Sequence, residues 1–189
     1  MDRRKLLKLS GAGVGLALVG GLASCNRQYA ASRILQKDDR ISLYGDPEEF
    51  IQKAYELGVK YEKEYRGCAR CTVAALQDAL PFVAKSEELF RASTCLDGGA
   101  TPTNIANCGA FTGSGMVIAY VCGSTRDRTG FKGDNNLAHQ LIHKVHAHFV
   151  KDYGSVICAD VRKAGDKNCP EVVGKAAMCT SRVLIEEFS

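Results

Sequence analysis

The chain contains no tryptophan, only four prolines in 189 residues, and charge of neither sign in marked excess, with 25 lysines and arginines against 21 aspartates and glutamates. Each shortage excludes something. Few prolines, with no internal repeat and no low-complexity tract, set aside solenoids and disordered linkers as the main architecture. The first 24 residues hold four basic groups and one acid, so the formal charge of +4 falls to +1 in the remainder. That leaves no basic footprint for nucleic acid, and aromatic residues do not interleave with basic ones as single-strand binding requires. No apolar run is long enough to cross a bilayer: the best, from Leu9 to Leu22, spends five of its fourteen residues on glycine, and a spanning helix needs about 20. No serine-histidine-acid order or paired-carboxylate motif stands out, and Gly98-Gly99 lacks the spacing of a phosphate cradle.

What the chain does have is cysteine, nine of them: Cys25, Cys68, Cys71, Cys95, Cys108, Cys122, Cys158, Cys169 and Cys179. Thiols oxidise, bind metals and exchange disulfides, so a chain that keeps this many puts them to use. The first belongs with an address. Asp2-Arg3-Arg4-Lys5-Leu6-Leu7-Lys8 resembles the twin-arginine export motif, with Arg3 and Arg4 as its signature pair, followed by a weakly hydrophobic stretch. Leu22-Ala23-Ser24-Cys25 resembles a bacterial lipobox, in which Cys25 receives lipid and becomes the mature N-terminus. The expectation is an export signal over residues 1–25, a tether over 26–45 and a domain over 46–189. That domain is held by its acyl chains at the periplasmic or extracytoplasmic face of a membrane.

The domain reads as all-α, a compact bundle of about five main helices. Asp46-Pro47-Glu48-Glu49 is a helix start, with a capping residue, proline at the first position and acids in the first turn. That helix runs to about Tyr65. Others are expected over Cys68–Leu80, Lys85–Ala92, Asn104–Val121, Asn135–Asp152 and Pro170–Phe188. At 100° per residue, Ala138, Leu141, Ile142, Val145 and Phe149 make the inner face of one. Val172, Val173, Ala176, Thr180, Val183 and Leu184 make that of the last. No alternating strand pattern competes.

Cys108-Gly109-Ala110-Phe111-Thr112-Gly113 is the sharpest motif. On a helix Cys108 shares one face with Thr112, Gly115, Ala119 and Cys122, a stripe of small side chains along which a backbone or cofactor can approach closely. The motif, with Cys68 upstream and Cys158 and Cys169 downstream, resembles the bacterial C_GCAxxG_C_C redox family. Gly67-Cys68-Ala69 matches the first family cysteine, Cys108 the second, Cys158 the third and Cys169-Pro170 the fourth. The resemblance implies redox activity carried by these four. The chain is similar at greater distance to split-Soret cytochromes, but Cys68-Ala69-Arg70-Cys71-Thr72 lacks the histidine of a C-x-x-C-H site, so no covalent c-type haem is expected.

Cys68 and Cys169 stand at expected helix starts, where free N–H groups and the helix dipole favour thiolate. Four thiolates suit an iron-sulfur cluster, the favoured reading, or a closed tetrahedral zinc site. The rivals are a metal-free thiol-disulfide oxidoreductase using Cys68 and Cys71 or two of the matched four, and a lipoprotein binding module stapled by disulfides. All four histidines fall within ten residues; His139, His143 and His146 share one side of a helix and form a reserve ligand set. The expected partners are a redox partner of unknown identity and, through the lipid, a membrane. A homodimer is left open, and no nucleic acid is expected.

Overall fold

The computed structural model describes residues 34–100, 102–133 and 135–189, so the stretch read as an export signal, with Cys25, lies outside the described residues. The domain is mostly helical and forms one compact body, as the periodicity predicts. In chain order it runs α1 (Pro47–Tyr65), α2 (Cys68–Ala79), α3 (Glu87–Ser93), α4 (Gly109–Cys122), β1 (Thr125–Asp127), β2 (Gly130–Lys132), α5 (Asn135–Tyr153), α6 (Cys158–Ala164) and α7 (Cys169–Phe188).

The first and last helices lie antiparallel. Arg182 near the end of α7 grips Glu48 at the start of α1 with two bonds of 2.7 and 2.9 Å. At the opposite end Tyr55 donates to Glu171, 2.7 Å away. Gly58 and Gly174 face each other where these two helices cross, with no room for a side chain between them. The inner faces expected for α5 and α7 are the observed ones, Ile142 being half-buried and the rest buried. Leu76, Val117, Leu141, Val145, Leu184 and Phe188 are fully enclosed between them. Removing any one of these leucines would cost on the order of 2–5 kcal/mol through lost transfer energy and an unfilled cavity.

Three features depart from the sequence reading. A seven-residue helix, α6, starts at Cys158, too short for its apolar period to register. A two-stranded hairpin, β1 against β2, closes through Asp127-Arg128-Thr129-Gly130, with Arg126 paired to Phe131; three residues per strand give no alternation to detect. Finally, α4 begins at Gly109 rather than Asn104. Asn104 has φ of 65°, and the strip from Asn104 to Cys108 forms its backbone hydrogen bonds with Gly98, Val156 and the first two residues of α6 instead of within a helix.

The described part of the stretch read as a tether is docked. Leu35 is buried, and its N–H donates to the carbonyl of Val121 at 2.9 Å; the N–H of Ile41 donates to that of Phe188 at 2.7 Å. The chain therefore enters the bundle beside the ends of α4 and α7. These helices fix two poles. One gathers the N-termini of α2, α4, α6 and α7 with the C-terminus of α1; the other holds the chain entry, the hairpin and the C-termini of α4 and α7.

Candidate functional site

All four matched cysteines sit at helix starts. Cys68, Cys158 and Cys169 are the first residues of α2, α6 and α7, and Cys108 is the N-cap of α4. Together they line one cavity of about 510 Å³, with Glu62, Arg66, Arg70, Asp97, Val161, Arg162 and Val172 among its other walls. Forty positions separate Cys68 from Cys108 and fifty separate Cys108 from Cys158, so tertiary structure has to bring them together.

The α1–α2 corner brings Cys68. Arg66 and Gly67 both have positive φ, 56° and 95°, which turns the chain directly from one helix into the next. Gly67 offers no capping side chain, and Asp97 from a distant loop takes over, accepting the N–H of Ala69 at 2.7 Å. Arg70 folds back to donate to the carbonyls of Arg66 and Tyr65, at 3.0 and 2.8 Å. These acceptors belong to the last turn of α1, so one guanidinium stitches the two helices.

The two glycines of Cys108-Gly109-Ala110-Phe111-Thr112-Gly113 set the approach of α4 to α2. A Cβ on Gly109 would collide with Sγ of Cys68, and one on Gly113 would lie 2.6 Å from the carbonyl oxygen of Ala69. Both positions must be glycine for Cys68 and Cys108 to face each other. The stripe expected on α4 is corrected by this packing. The helix buries Gly109, Ala110, Gly113, Ser114, Val117, Ile118, Val121 and Cys122, while Ala119 is exposed. Cys108 and Cys122 stand at opposite ends, about 20 Å apart at 1.5 Å per residue.

Cys158 arrives by backbone pairing. The N–H of Cys108 donates to Val156 at 2.7 Å, that of Cys158 to Ala106 at 2.9 Å and that of Ala159 to Asn104 at 2.9 Å. Asn104 then accepts the Cys158 thiol at 3.4 Å and the Arg162 guanidinium at 3.1 Å. Cys169 follows a tight reversal after α6, in which Asp166 and Lys167 have φ of 50° and 59°. Asn168 caps α7 by accepting the N–H of Glu171.

The thiols are electrostatically unlike. Cys68 is held below the ordinary thiol value, first because the Cys108 thiol donates a hydrogen bond to its sulfur and then because the N–H of Gly98 does so, against the opposing effect of burial. Cys108 is pushed up correspondingly, by donating to that thiolate and by burial. Cys158 and Cys169 are raised by burial and by the charge on Cys68, with Arg162 acting in the opposite direction. Of the four, Cys68 alone is shifted toward the thiolate form, and the other three are shifted away from it. Glu62 is also raised, mainly by burial, and its Oε2 has no hydrogen-bond partner among the described residues.

Cys71 does not join this group. Its thiol donates to the carbonyl of Arg66 at 3.2 Å and faces Glu62, and burial drives its pKa far up. The spacing offers Cys68 with Cys71, or two of the matched four, as a redox pair; Cys108 is the group that acts most on the Cys68 thiol. The eight described cysteines are all free thiols, with Cys95 exposed and Cys122 and Cys179 pushed up to about 11 and about 12 by burial. The histidines lie elsewhere. His139 and His143 line a surface groove with Lys37 and Lys144, and His143 stacks on His146, which meets the edge of Phe111.

Among the described residues no three histidine, cysteine, aspartate or glutamate side chains close on a point that one metal ion could fill. The four sulfurs border one cavity, and cysteine thiolates are the ligands an iron-sulfur cluster takes. The donor set fits such a group in charge as well. Thiolate ligands would bring negative charge against Arg66, Arg70 and Arg162 and against the N-termini of α2, α4 and α7, each equivalent to roughly half a positive charge. Sequence reasoning missed Asp97, Asn104, Glu62 and Arg162, which hold or border these thiols. None lies in the cysteine motif, and only the tertiary fold brings Asp97 and Asn104 from loops, Glu62 from α1 and Arg162 from α6 to these thiols.

The family described as "Putative redox-active protein (C_GCAxxG_C_C)" matches residues 65–183. No curated protein and no solved structure is significantly similar to the chain. The match spans well over half the chain, and the chain belongs to this family of redox-active proteins.

Proposed function

Proceeding from that membership, we propose that the protein is an exported, membrane-tethered electron carrier whose Cys68, Cys108, Cys158 and Cys169 hold an iron-sulfur centre. One observation carries the reading: four cysteines from four helix starts line a single cavity. The centre, when bound, supplies one-electron chemistry at a potential tuned by its surroundings. The chain's own residues do the rest. Cys68, already favoured as thiolate, is the first ligand to engage, and the remaining thiols give up their protons as they bind. Arg162 and the helix N-termini offset the accumulated negative charge. Val161 and Val172 keep part of the wall dry, and Glu62 presents a carboxyl able to hold a proton inside the cavity. Export and tethering are supported by the Arg3-Arg4 motif and by the lipobox ending at Cys25.

Anaerobic purification followed by iron and acid-labile sulfide analysis tests this. The reading expects both elements in a coloured protein; a colourless, metal-free preparation with intact helical circular dichroism contradicts it.

The placement of Cys108 beside Cys68 in one cavity, with the Cys68 thiol shifted toward thiolate by Cys108, favours a second reading, a thiol-disulfide oxidoreductase. The Cys68 thiolate attacks one sulfur of a substrate disulfide, forming a mixed disulfide and expelling the other sulfur as thiolate. Cys108, losing its proton, then attacks the Cys68 sulfur, closing a Cys68–Cys108 disulfide and releasing the second substrate thiolate. The substrate is reduced by two electrons and the dithiol is oxidised by two. Metal-free protein that reduces a disulfide substrate stoichiometrically, and stops doing so in Cys68→Ser, supports this reading over the first.

A further inference from the structure

The hairpin at the pole opposite the cysteines is out of keeping with the rest of the fold. All six strand residues are exposed, and an isolated two-stranded ribbon is only marginally stable in water. Phe131 is 80% exposed. Arg126 faces it across the ribbon, Arg128 occupies the turn and Lys132 closes β2. The acid among them is occupied: Asp127 accepts both the N–H and the hydroxyl of Thr129, each at 2.7 Å. Among the described residues no ion pair engages Arg126, Arg128 or Lys132, whereas two acids of this pole, Glu48 and Glu187, are paired with Arg182 and Lys144.

Where the chain enters decides what this surface meets. Leu35 is hydrogen-bonded to Val121, in the last turn of α4 and just ahead of the hairpin. Ten residues separate it from Cys25, a span of at most about 35 Å when fully extended. A lipid on Cys25 therefore keeps the root of the hairpin within that distance of the bilayer. The cysteine cavity lies at the other end of α4, about 20 Å from the point where the chain enters.

We propose that the hairpin Thr125–Lys132 is a membrane-contacting finger, in which Phe131 enters the bilayer interface and Arg126, Arg128 and Lys132 bind anionic phospholipid headgroups, so that the cysteine cavity faces away from the membrane toward a soluble partner. This rests on the lipid tether proposed above. An aromatic ring flanked by cations suits the interface, and each cation strengthens binding to an anionic surface on the order of fivefold.

The chain has no tryptophan, which makes a single-reporter test direct. Whole chains carrying Phe131→Trp, or Ile105→Trp at the cavity pole, are bound to vesicles of brominated phosphatidylcholine and phosphatidylglycerol. The reporter at 131 should shift to the blue and be quenched, while that at 105, whose native side chain is 77% exposed, should show neither change. Adding Arg126→Gln, Arg128→Gln and Lys132→Gln together, or omitting phosphatidylglycerol, should remove most of the quenching while the chain still floats with the vesicles. Quenching at 105 but not at 131 would invert the orientation and overturn the proposal. Vesicle-bound chain quenched at neither position would overturn the finger and leave the tether standing, as expected if the hairpin instead serves a protein partner. Chain that fails to float would overturn both.

Discussion

The two poles of the bundle are built by opposite means. At the cysteine pole the backbone is forced. All five described non-glycine residues with positive φ, Arg66, Ala100, Asn104, Asp166 and Lys167, lie in the corners and loops that deliver the four thiols. Such conformations cost on the order of 1–3 kcal/mol each and persist where the surroundings over-determine them. At the hairpin pole neither strand has a buried residue and almost nothing packs over them. The difference teaches where specificity lies: one pole holds sulfurs in fixed positions at the expense of stability, and the other leaves side chains free for a surface.

The comparison breaks most readily at Gly109. Gly109→Val drives side-chain carbon into the Cys68 sulfur and should destabilise the domain by about 1–3 kcal/mol, with loss of any bound iron, measured by thermal unfolding and metal analysis. Phe131→Ala at the other pole should shift stability by no more than about 0.5 kcal/mol. Equal effects would mean that the cavity pole is no more tightly specified than the hairpin.

Much of this contrast was legible in the residues, and the part that was not has a physical cause. The inner faces of α5 and α7 follow from periodicity because long helices repeat the signal several times. Cys68 and Cys169 at helix starts follow from Gly67-Cys68 and Asn168-Cys169-Pro170, which are local signals. Cys108 as a cap was hidden, since its neighbours Asn104–Asn107 look helix-compatible until Val156 and Cys158 pair with them. The Cys68–Cys108 hydrogen bond was hidden for the same reason, because C-x-x-C spacing draws attention to Cys71, whose thiol is committed to Arg66 and Glu62. Convergence of sulfurs so far apart in sequence depends on tertiary contacts that no local pattern encodes.

A smaller effect sharpens the electrostatic side. In metal-free, reduced protein the rate of Cys68 alkylation should level off at a pH below the ordinary thiol value of about 8.5, because its thiolate is favoured. Cys108→Ala removes the donor and should move that plateau upward. Cys122, at the far end of α4 and pushed up to about 11, should remain unreactive at neutral pH in both proteins. If Cys108→Ala leaves the Cys68 profile unchanged, the hydrogen bond is not what favours the thiolate.

Glu62 gives a gentler test. Its folded-state pKa is raised, so its protonated form stabilises the fold at acid pH, and that contribution is lost as pH climbs from the ordinary carboxylate value through the raised one. Glu62→Gln should therefore gain stability over wild type above that window and gain little below it, as read from Tm against pH. The smallest expected effect is none: His139→Ala and His143→Ala, in a groove away from the cavity, should leave iron content unchanged.

The central claim is that four sulfurs, and only those four, build one redox centre. Iron and acid-labile sulfide should be measured in eight single cysteine-to-serine variants purified anaerobically, with helical content checked in each. The account predicts that Cys68→Ser, Cys108→Ser, Cys158→Ser and Cys169→Ser lose the centre, while Cys71→Ser, Cys95→Ser, Cys122→Ser and Cys179→Ser retain it. Loss in the second set with retention in the first, or folded wild-type protein that binds no iron at all, would contradict it.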